Sequence, residues 1–272
     1  MSVLELLAVL GAGLLAGIIN TIVGAGTLVT FPLLLAVGIP PLVANVSNTV
    51  GLVPAAVTGA WGYRRELAGQ WPTVLRMALL SAVGGVVGAG LLLVAPAETF
   101  TSVVPWLLVL AAGLAAAQPR VTEALRRREN LAALSAGVTL TEPPPAELVD
   151  RITRPLTFGL LVGVAATGIY GGYFGAAQGV ILLAMLGIWW SADLHRANGA
   201  KVVLAGTANL VSAAIFAFSG QVDWRIAALI AVGSALGGVI GAKVARRIPA
   251  PALRAVIVVV GLAAAVALWV RG

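Results

Sequence analysis

Eight long apolar stretches divide this sequence of 272 residues, and they restrict its possible folds more than any other feature. They cover residues 3–39, 41–63, 73–95, 100–117, 156–189, 191–218, 225–247 and 252–270. A helix needs about 20 apolar residues to cross a bilayer, and most of the stretches approach or exceed that length. Only 10% of the residues are charged, against about a quarter in a soluble globular protein. The sequence therefore predicts an all-α, polytopic membrane helix bundle.

The charge and composition exclude several other classes of protein. The net charge is +7, but most Lys and Arg residues lie between the apolar stretches, where they set membrane topology, so no nucleic-acid partner is expected. The sequence has no Cys and one His, so we expect no metal site and no cofactor. No basic segment precedes the first apolar stretch, which favours a first membrane helix over a cleaved signal peptide.

The two halves of the sequence resemble each other. A shift of 153 residues pairs Gly26 with Gly179, Asn45 with Asn198, Trp71 with Trp224 and Pro96 with Pro249. It also aligns the twelve residues from Ala78 with those from Ala231, at eight identities. This internal duplication predicts a first transmembrane repeat over 1–117, a cytoplasmic linker over 118–155 and a second transmembrane repeat over 156–272. We expect a short surface helix over Thr122–Leu134 of the linker.

The basic breaks predict the orientation of the repeats. One follows the second stretch at Arg64-Arg65, one is the linker, and one precedes the last stretch at Lys243, Arg246 and Arg247. Because all three should be cytoplasmic, equivalent loops face opposite sides and the repeats are inverted. Inversion requires an odd number of crossings per repeat. A helix over 3–39 would be about 55 Å long, so we expect it to break into two, giving ten crossings; the alternative is eight crossings in parallel repeats.

Both long first stretches contain glycine-rich bends with polar residues. The candidate substrate-binding residues there are Asn20, Gly24, Gly26 and Thr27 in the first bend, and Gly175, Gln178 and Gly179 in the second. A helix broken inside a membrane exposes backbone N–H groups, and the N-terminus of the half-helix that follows is suited to bind an anion. The alternative is that these glycines only permit close helix packing.

The second stretch of each half is unusually polar for a membrane helix. Its candidate substrate-binding residues are Asn45, Asn48 and Thr49 in the first half, and Asn198, Lys201 and Asn209 in the second. Amide and hydroxyl groups suit the oxygens of a small oxyanion, although they also join helices within a bundle. Lys201 is the most informative residue, because a charge inside an apolar stretch is costly and usually functional. The alternatives are that Lys201 extends to the interface or pairs with Asp193.

The remaining features favour transport over catalysis. The sequence has no H-E-x-x-H, Walker A or G-x-S-x-G motif, so we expect no enzyme and no catalytic residue. Without a nucleotide-binding motif, uphill transport must use an ion gradient. His195, at the start of the Lys201 stretch, is interpreted as an interfacial residue, and a proton relay is the alternative.

Several motifs together resemble the TauE/SafE sulfite-exporter family of bacterial and archaeal membrane transporters. In the first half they are Val23-Gly24-Ala25-Gly26-Thr27, Phe31-Pro32, Gly38-Ile39-Pro40-Pro41, Ala44 to Thr49, Arg64-Arg65 and Gly69-Gln70-Trp71. In the second half they are Gly171-Gly172-Tyr173-Phe174-Gly175, Ala200-Lys201 and Ser219-Gly220-Gln221-Val222-Asp223-Trp224. Gln178 departs from the family, in which small residues are common at that place.

The resemblance implies export of sulfite, an organosulfonate or a related sulfur-containing or carboxylate anion across the cytoplasmic membrane, driven by protons. We expect the substrate between the two repeats, with Lys201 as counter-charge, and alternating access by rocking of one repeat against the other. A passive anion channel and a membrane enzyme or assembly factor are the alternatives. The expected partners are a small anion, the bilayer and protons. The oligomeric state stays open.

Overall fold

The computed structural model describes residues 2–135, 155–191, 193–244 and 250–271, and these residues form ten helices. The first five are α1 (Val3–Ile22), α2 (Thr27–Ala36), α3 (Pro41–Gly62), α4 (Trp71–Val94) and α5 (Ala97–Ser135). The other five are α6 (Phe158–Tyr173), α7 (Gln178–Trp189), α8 (Leu194–Ala217), α9 (Trp224–Val244) and α10 (Ala250–Arg271). Six helices in the described part of the chain are long and apolar enough to cross a membrane. The predicted all-α membrane bundle is therefore confirmed.

The helix lengths do not by themselves establish two crossings in each first stretch. The chain leaves α1 at Ile22 and resumes as α2 at Thr27, which has 10 residues. Ten residues span about 15 Å, half of the hydrocarbon core, and the 12 residues of α7 span about 18 Å. Neither α2 nor α7 is among the six helices long enough to cross a bilayer alone, so the expected ten crossings, on which the inverted orientation depends, stay a prediction.

The predicted boundary between the first repeat and the linker, at residue 118, falls inside a helix. α5 is one helix of 39 residues that continues through Pro119 to Ser135, so the helix expected over Thr122–Leu134 is its continuation. The polar half of α5, residues 119–135, is rich in Ala, Leu, Glu and Arg, which favour helix. Glu123 pairs with Arg127 one turn later at 3.0 Å. Leu125 is buried beside α7. Residues 136–154, including Pro143-Pro144-Pro145, lie outside the described residues.

The helices of the two halves pack on one another in matching pairs. α1 packs on α9 as α6 packs on α4, and α3 packs on α9 as α8 packs on α4. α3 also contacts α8, and α5 contacts α10. Glycines allow these close crossings: a Cβ added to Gly13 would lie 2.9 Å from the Ile230 backbone. Small residues let membrane helices approach closely where packing, and not burial from water, holds them together.

The shift of 153 residues also relates positions in the structure. Three helix starts correspond, since 41 + 153 = 194, 71 + 153 = 224 and 97 + 153 = 250. Two buried hydrogen bonds correspond as well: the Ser81 hydroxyl donates to Leu204 O at 2.8 Å, and the Ser234 hydroxyl donates to Gly51 O at 2.7 Å. These relations agree with a duplication, which stays a prediction together with its inverted orientation.

The first helix and bend of each half follow a different shift. A Cβ added to Gly241 would meet Ile18 O, and one added to Gly88 would meet Ile169 O, which relates α1 to α6 by 169 − 18 = 151 residues. Gly24 and Gly175 have φ of +83° and +73°, and they too are 151 residues apart. Both bends have four residues, 23–26 and 174–177, and the two additional residues of the second half lie after its bend, in α7, which has 12 residues against 10 in α2.

Candidate functional site

The two bends lie against each other in the interior of the bundle. Gly24 closes the first bend with a φ of +83°, a value that L side chains rarely adopt. A Cβ added to Gly24 would lie 2.6 Å from the Cα of Gly179, and a Cβ added to Gly179 would lie 2.7 Å from the Cα of Gly24. Only glycine at both positions lets the two backbones come so close.

Two helix N-termini begin at this contact. Gly26 precedes α2 and Ala177 precedes α7, and neither residue supplies a side-chain hydrogen bond to cap its helix. Carbonyls of the bends accept from several of their first N–H groups, since Leu28 N donates to Ala25 O at 3.1 Å and Gln178 N donates to Gly175 O at 3.2 Å. Thr27 N and Gly179 N have no partner among the described residues, and each N-terminus carries the positive end of its helix dipole. Two uncapped N-termini at one place form a region suited to negative charge.

A small cavity lies beside the contact, between α1, α2, α3, α7 and α8. Its volume is about 30 Å³, which accommodates a water molecule or two or a small ion. Eight of the predicted site residues line it: Asn20, Gly24, Thr27, Gly175, Gln178, Gly179, Lys201 and Asn209. The structure thus brings together residues from both halves that are far apart in the sequence.

Lys201 is the charged residue of this cavity. Its side chain is 1% exposed, and its Nζ has no hydrogen-bond partner among the described residues. The stem passes beside Gly179, whose added Cβ would lie 3.3 Å from Lys201 Cδ. A buried ammonium without a partner is costly, so a counter-ion or water must satisfy it.

Neither alternative interpretation of Lys201 agrees with its surroundings. Burial excludes extension to the protein surface. Asp193 is occupied at the start of α8, where its Oδ1 accepts hydrogen bonds from the N–H groups of His195 at 2.8 Å and Arg196 at 3.0 Å. This carboxylate therefore caps the helix that carries Lys201 and does not neutralise it. His195 itself is exposed and does not line the cavity.

The amides of the cavity have unused hydrogen-bonding groups. Gln178 Nε2 donates to Thr167 O at 3.0 Å, which fixes the orientation of the amide and leaves Oε1 without a donor among the described residues. The half-buried side chains of Asn20 and Asn209 make no hydrogen bond to another described residue. The cavity therefore offers N–H donors together with at least one acceptor.

Four predicted polar residues make hydrogen bonds elsewhere and do not line the cavity, although Asn45 Oδ1 is buried without a partner among the described residues. Asn45 Nδ2 donates to Tyr173 O at 2.9 Å, and the Thr49 hydroxyl donates to Asn45 O at 2.9 Å. Asn48 Oδ1 accepts from the Thr30 hydroxyl at 2.5 Å, while its Nδ2 donates to Thr27 Oγ1 at 3.3 Å. Asn198 Nδ2 donates to the Tyr63 hydroxyl at 2.6 Å. The bonds of Asn45, Asn48 and Asn198 join separate segments of the bundle, whereas the bond of Thr49 lies within α3.

Gly26 also lies outside the cavity lining. A Cβ added there would meet the carbonyl of Ala16 and would lie 3.1 Å from Asn20 Cβ, so this glycine lets the bend pack on α1. Conversely, Thr21 lines the cavity but was not predicted to do so. Its hydroxyl donates to Gly17 O at 3.0 Å, so it can only accept a further hydrogen bond. Its neighbour Asn20 was the signal that could have identified it.

A larger cavity of about 700 Å³ lies between α1, α2 and α10. Its lining consists of Ala, Gly, Leu, Val and Pro residues, so it offers no polar side chain to an anion. The cavity at Lys201 is the better candidate for a site that binds a charged or polar substrate.

Comparison with known proteins gives one family. The model of the sulfite exporter TauE/SafE family matches residues 9–268 of the chain. A probable membrane transporter protein of Haemophilus influenzae is 28% identical over 243 residues, which are 88% of this chain and 85% of the relative.

Two further relatives cover similar lengths. The probable membrane transporter protein ORF9 of a Sinorhizobium species is 26% identical over 94% of this chain and 89% of its own length. The probable membrane transporter protein YfcA of Escherichia coli K12 is 25% identical over 91% of this chain and 83% of its own length. No solved structure matches the chain.

Proposed function

Because the chain belongs to the sulfite exporter TauE/SafE family, we propose that it exports a small anion across the bacterial or archaeal cytoplasmic membrane. The family and its relatives' names identify a membrane transporter, which agrees with the expectation that the chain is not an enzyme. The proposed substrates are sulfite, an organosulfonate, or a related sulfur-containing or carboxylate anion. The proposed driving force is the proton gradient.

The buried ammonium of Lys201 is the observation that carries this proposal. It lies in a cavity bordered by two uncapped helix N-termini, and its Nζ has no partner among the described residues. An anion would supply the missing counter-charge, while the N-termini and the amides of Asn20 and Asn209 would donate hydrogen bonds to its oxygens. Each feature alone is weak support for an anion site, but all of them lie around the same small cavity.

Transport then requires the cavity to open to each side in turn. The cavity is small, and Gly24 and Gly179 bring the bends of the two halves into contact beside it. These features favour a carrier that exposes its site alternately over a continuously open anion pore. We propose that one half of the molecule rocks against the other and that the two bends move apart or together as it does so.

Counterflow in proteoliposomes tests this function. Vesicles loaded with unlabelled sulfite should accumulate external radiolabelled sulfite transiently, because a carrier exchanges substrate, whereas a simple pore only equilibrates it. Lys201→Met should abolish the exchange. An imposed pH gradient that drives net sulfite movement would support proton coupling. Passage of sulfite without counterflow would instead favour the channel, and no passage of sulfite, methanesulfonate or acetate would contradict anion transport.

A further inference from the structure

The cavity contains one positive charge and no negative charge among the described residues. Its lining includes Lys201 and no Asp, Glu, Arg or His. The helices α2, α3, α6 and α7 contain no Asp, Glu, Lys, Arg or His at all. An occupant of this cavity therefore meets one formal charge, the ammonium group of Lys201, besides the partial positive charge of the two helix N-termini.

The charges on the other neighbouring elements lie away from the cavity. On α1, Glu5 is exposed and accepts a hydrogen bond from Ser2 N. On α4, Arg76 is exposed, and on α5, Glu129 accepts a hydrogen bond from Leu194 N at the start of α8. At the start of α8, His195 is exposed, Asp193 caps the helix, and the buried Arg196 lies outside the lining of the cavity. None of these residues lines the cavity, so they do not neutralise its occupant.

A net charge in a buried, weakly polar site is expensive, whereas a neutral ion pair is much less so. One ammonium and one singly charged anion give such a pair. A doubly charged anion would have a second negative charge with no formal counter-charge, which the partial charges of the helix N-termini alone would have to offset. The uncompensated charge raises the free energy of the bound state, and it does so again whenever the occupied site moves between the two sides of the membrane.

The hydrogen-bonding groups of the cavity also favour a singly charged, protonated anion. Gln178 Oε1 has no donor among the described residues, and the Thr21 hydroxyl already donates to Gly17 O, so both groups can accept a hydrogen bond. A fully deprotonated oxyanion has only acceptor oxygens, so it cannot donate a hydrogen bond to Gln178 Oε1 or to the Thr21 hydroxyl. A protonated oxyanion carries an O–H that can donate to one of them.

We propose that the transported species is a monoanion and that, among sulfur(IV) species, it is hydrogensulfite and not sulfite. This inference rests on the proposed function, because it names the charge state of the anion that the Lys201 cavity takes. The sulfate dianion is excluded by the same charge count. Lys201 supplies the compensating charge, and Gln178 and Thr21 supply the acceptors for the proton on the anion.

Binding measured across pH tests the inference. Hydrogensulfite and sulfite interconvert around neutral pH, whereas methanesulfonate and nitrate remain monoanions throughout that range. We would measure the affinity of the purified, detergent-solubilised protein for total sulfite, for each fixed monoanion and for sulfate at several pH values. Dividing the sulfite affinity by the affinity for a fixed monoanion removes any effect of the protonation of Lys201 itself.

The affinity ratio should fall about tenfold per pH unit once sulfite becomes the major species, because only the protonated fraction binds. Sulfate should not compete at any pH. A ratio that stays constant or rises with pH, or sulfate that competes as well as a fixed monoanion, would overturn the inference while anion transport stands. If none of the four anions binds at any pH, both the proposed function and the inference fail.

Discussion

Asn48 and Lys201 occupy corresponding positions in the two halves of the molecule but differ in their surroundings. Each is the eighth residue of its helix, since α3 begins at Pro41 and α8 begins at Leu194. Asn48 is held by hydrogen bonds with Thr27 and Thr30, whereas the Nζ of Lys201 has no partner among the described residues. One half therefore satisfies its buried polar group, and the other half leaves a charge available.

The difference between Asn48 and Lys201 indicates how a binding site can form between two similar halves of a protein. The shared features, such as helix starts and paired serines, are those that packing requires. Two differences lie around one cavity: a lysine stands in place of an asparagine, and α7 has two residues more than α2. A site at the junction of two similar halves becomes specific when one half alone supplies the charge. Four predictions test this comparison, in order of decreasing effect.

Corresponding loops should be accessible from opposite sides of the membrane if the halves are inverted. The chain has no Cys, so single Cys probes at Ala68 and Gln221, which are 153 residues apart and both exposed, report location directly. We expect Ala68→Cys, close to Arg64-Arg65, to react from the cytoplasm and Gln221→Cys from the outside. A membrane-impermeant maleimide on intact cells and on inverted vesicles makes the measurement. Labelling of both from one side would establish parallel halves.

Substitution at the contact between the bends should abolish transport. A Cβ at residue 179 would lie 2.7 Å from the Cα of Gly24, so Gly179→Leu forces the two backbones apart beside Lys201. We expect no measurable sulfite exchange, and Gly179→Ala should already be strongly impaired. Gly113→Leu on α5 is the matched control, because no atom lies within 4 Å of its added Cβ. If Gly179→Leu exchanges sulfite like the control, the bend contact is only packing.

Removing the two corresponding polar residues should have opposite consequences. Lys201→Met should weaken anion binding by about 1–3 kcal/mol, through loss of one charge-assisted hydrogen bond, with thermal stability unchanged or raised. Lys201→Arg should be intermediate, because a planar guanidinium does not reproduce a compact ammonium. Asn48→Leu should lower stability and leave anion affinity nearly unchanged, since it removes hydrogen bonds that join α2 to α3.

Calorimetric anion titration together with thermal unfolding in detergent distinguishes these outcomes. Arg76→Met is the control for loss of a positive charge, since Arg76 is exposed and outside the cavity. A stable Asn48→Leu protein that no longer binds anion would restore Asn48 as a site residue and remove the asymmetry proposed between the halves. A Lys201→Met protein that is less stable but binds anion normally would make Lys201 a structural residue.

The sequence predicted the membrane bundle and the residues of the cavity better than it predicted the helix ends and the polar contacts. Apolar length gives the spans directly, and a charge or an amide beside glycine in such a span is costly enough to stand out. The identity of a hydrogen-bond partner depends on tertiary placement, so spacing did not reveal that Asn48 faces Thr27 and Thr30. The helix expected over Thr122–Leu134 is present, but its continuity with the preceding span was missed because hydropathy falls at residue 118 while helix propensity does not.

The paired serine hydrogen bonds should show where the two halves remain equivalent. Ser81 and Ser234 are both fully buried, and each donates across a helix contact to a carbonyl of the other half, Leu204 O or Gly51 O. Hydrogen bonds between membrane helices contribute about 0.6 kcal/mol on average, because the same groups also find partners in the unfolded state within the membrane. Ser81→Ala and Ser234→Ala should therefore each lower the free energy of unfolding by about that amount.

Equality of the two losses is the informative part of this last prediction. The serines lie on different helix pairs, so the double variant should show the sum of the two losses within about 0.5 kcal/mol. Reversible unfolding in mixed micelles would measure all three variants, and sulfite exchange should change little, because neither serine lines the cavity. Unequal losses would mean that the halves differ in packing as well as in charge. In that case the two halves would differ in helix packing as well as at Lys201. The difference in charge could then not be studied as the single difference between two otherwise equivalent halves.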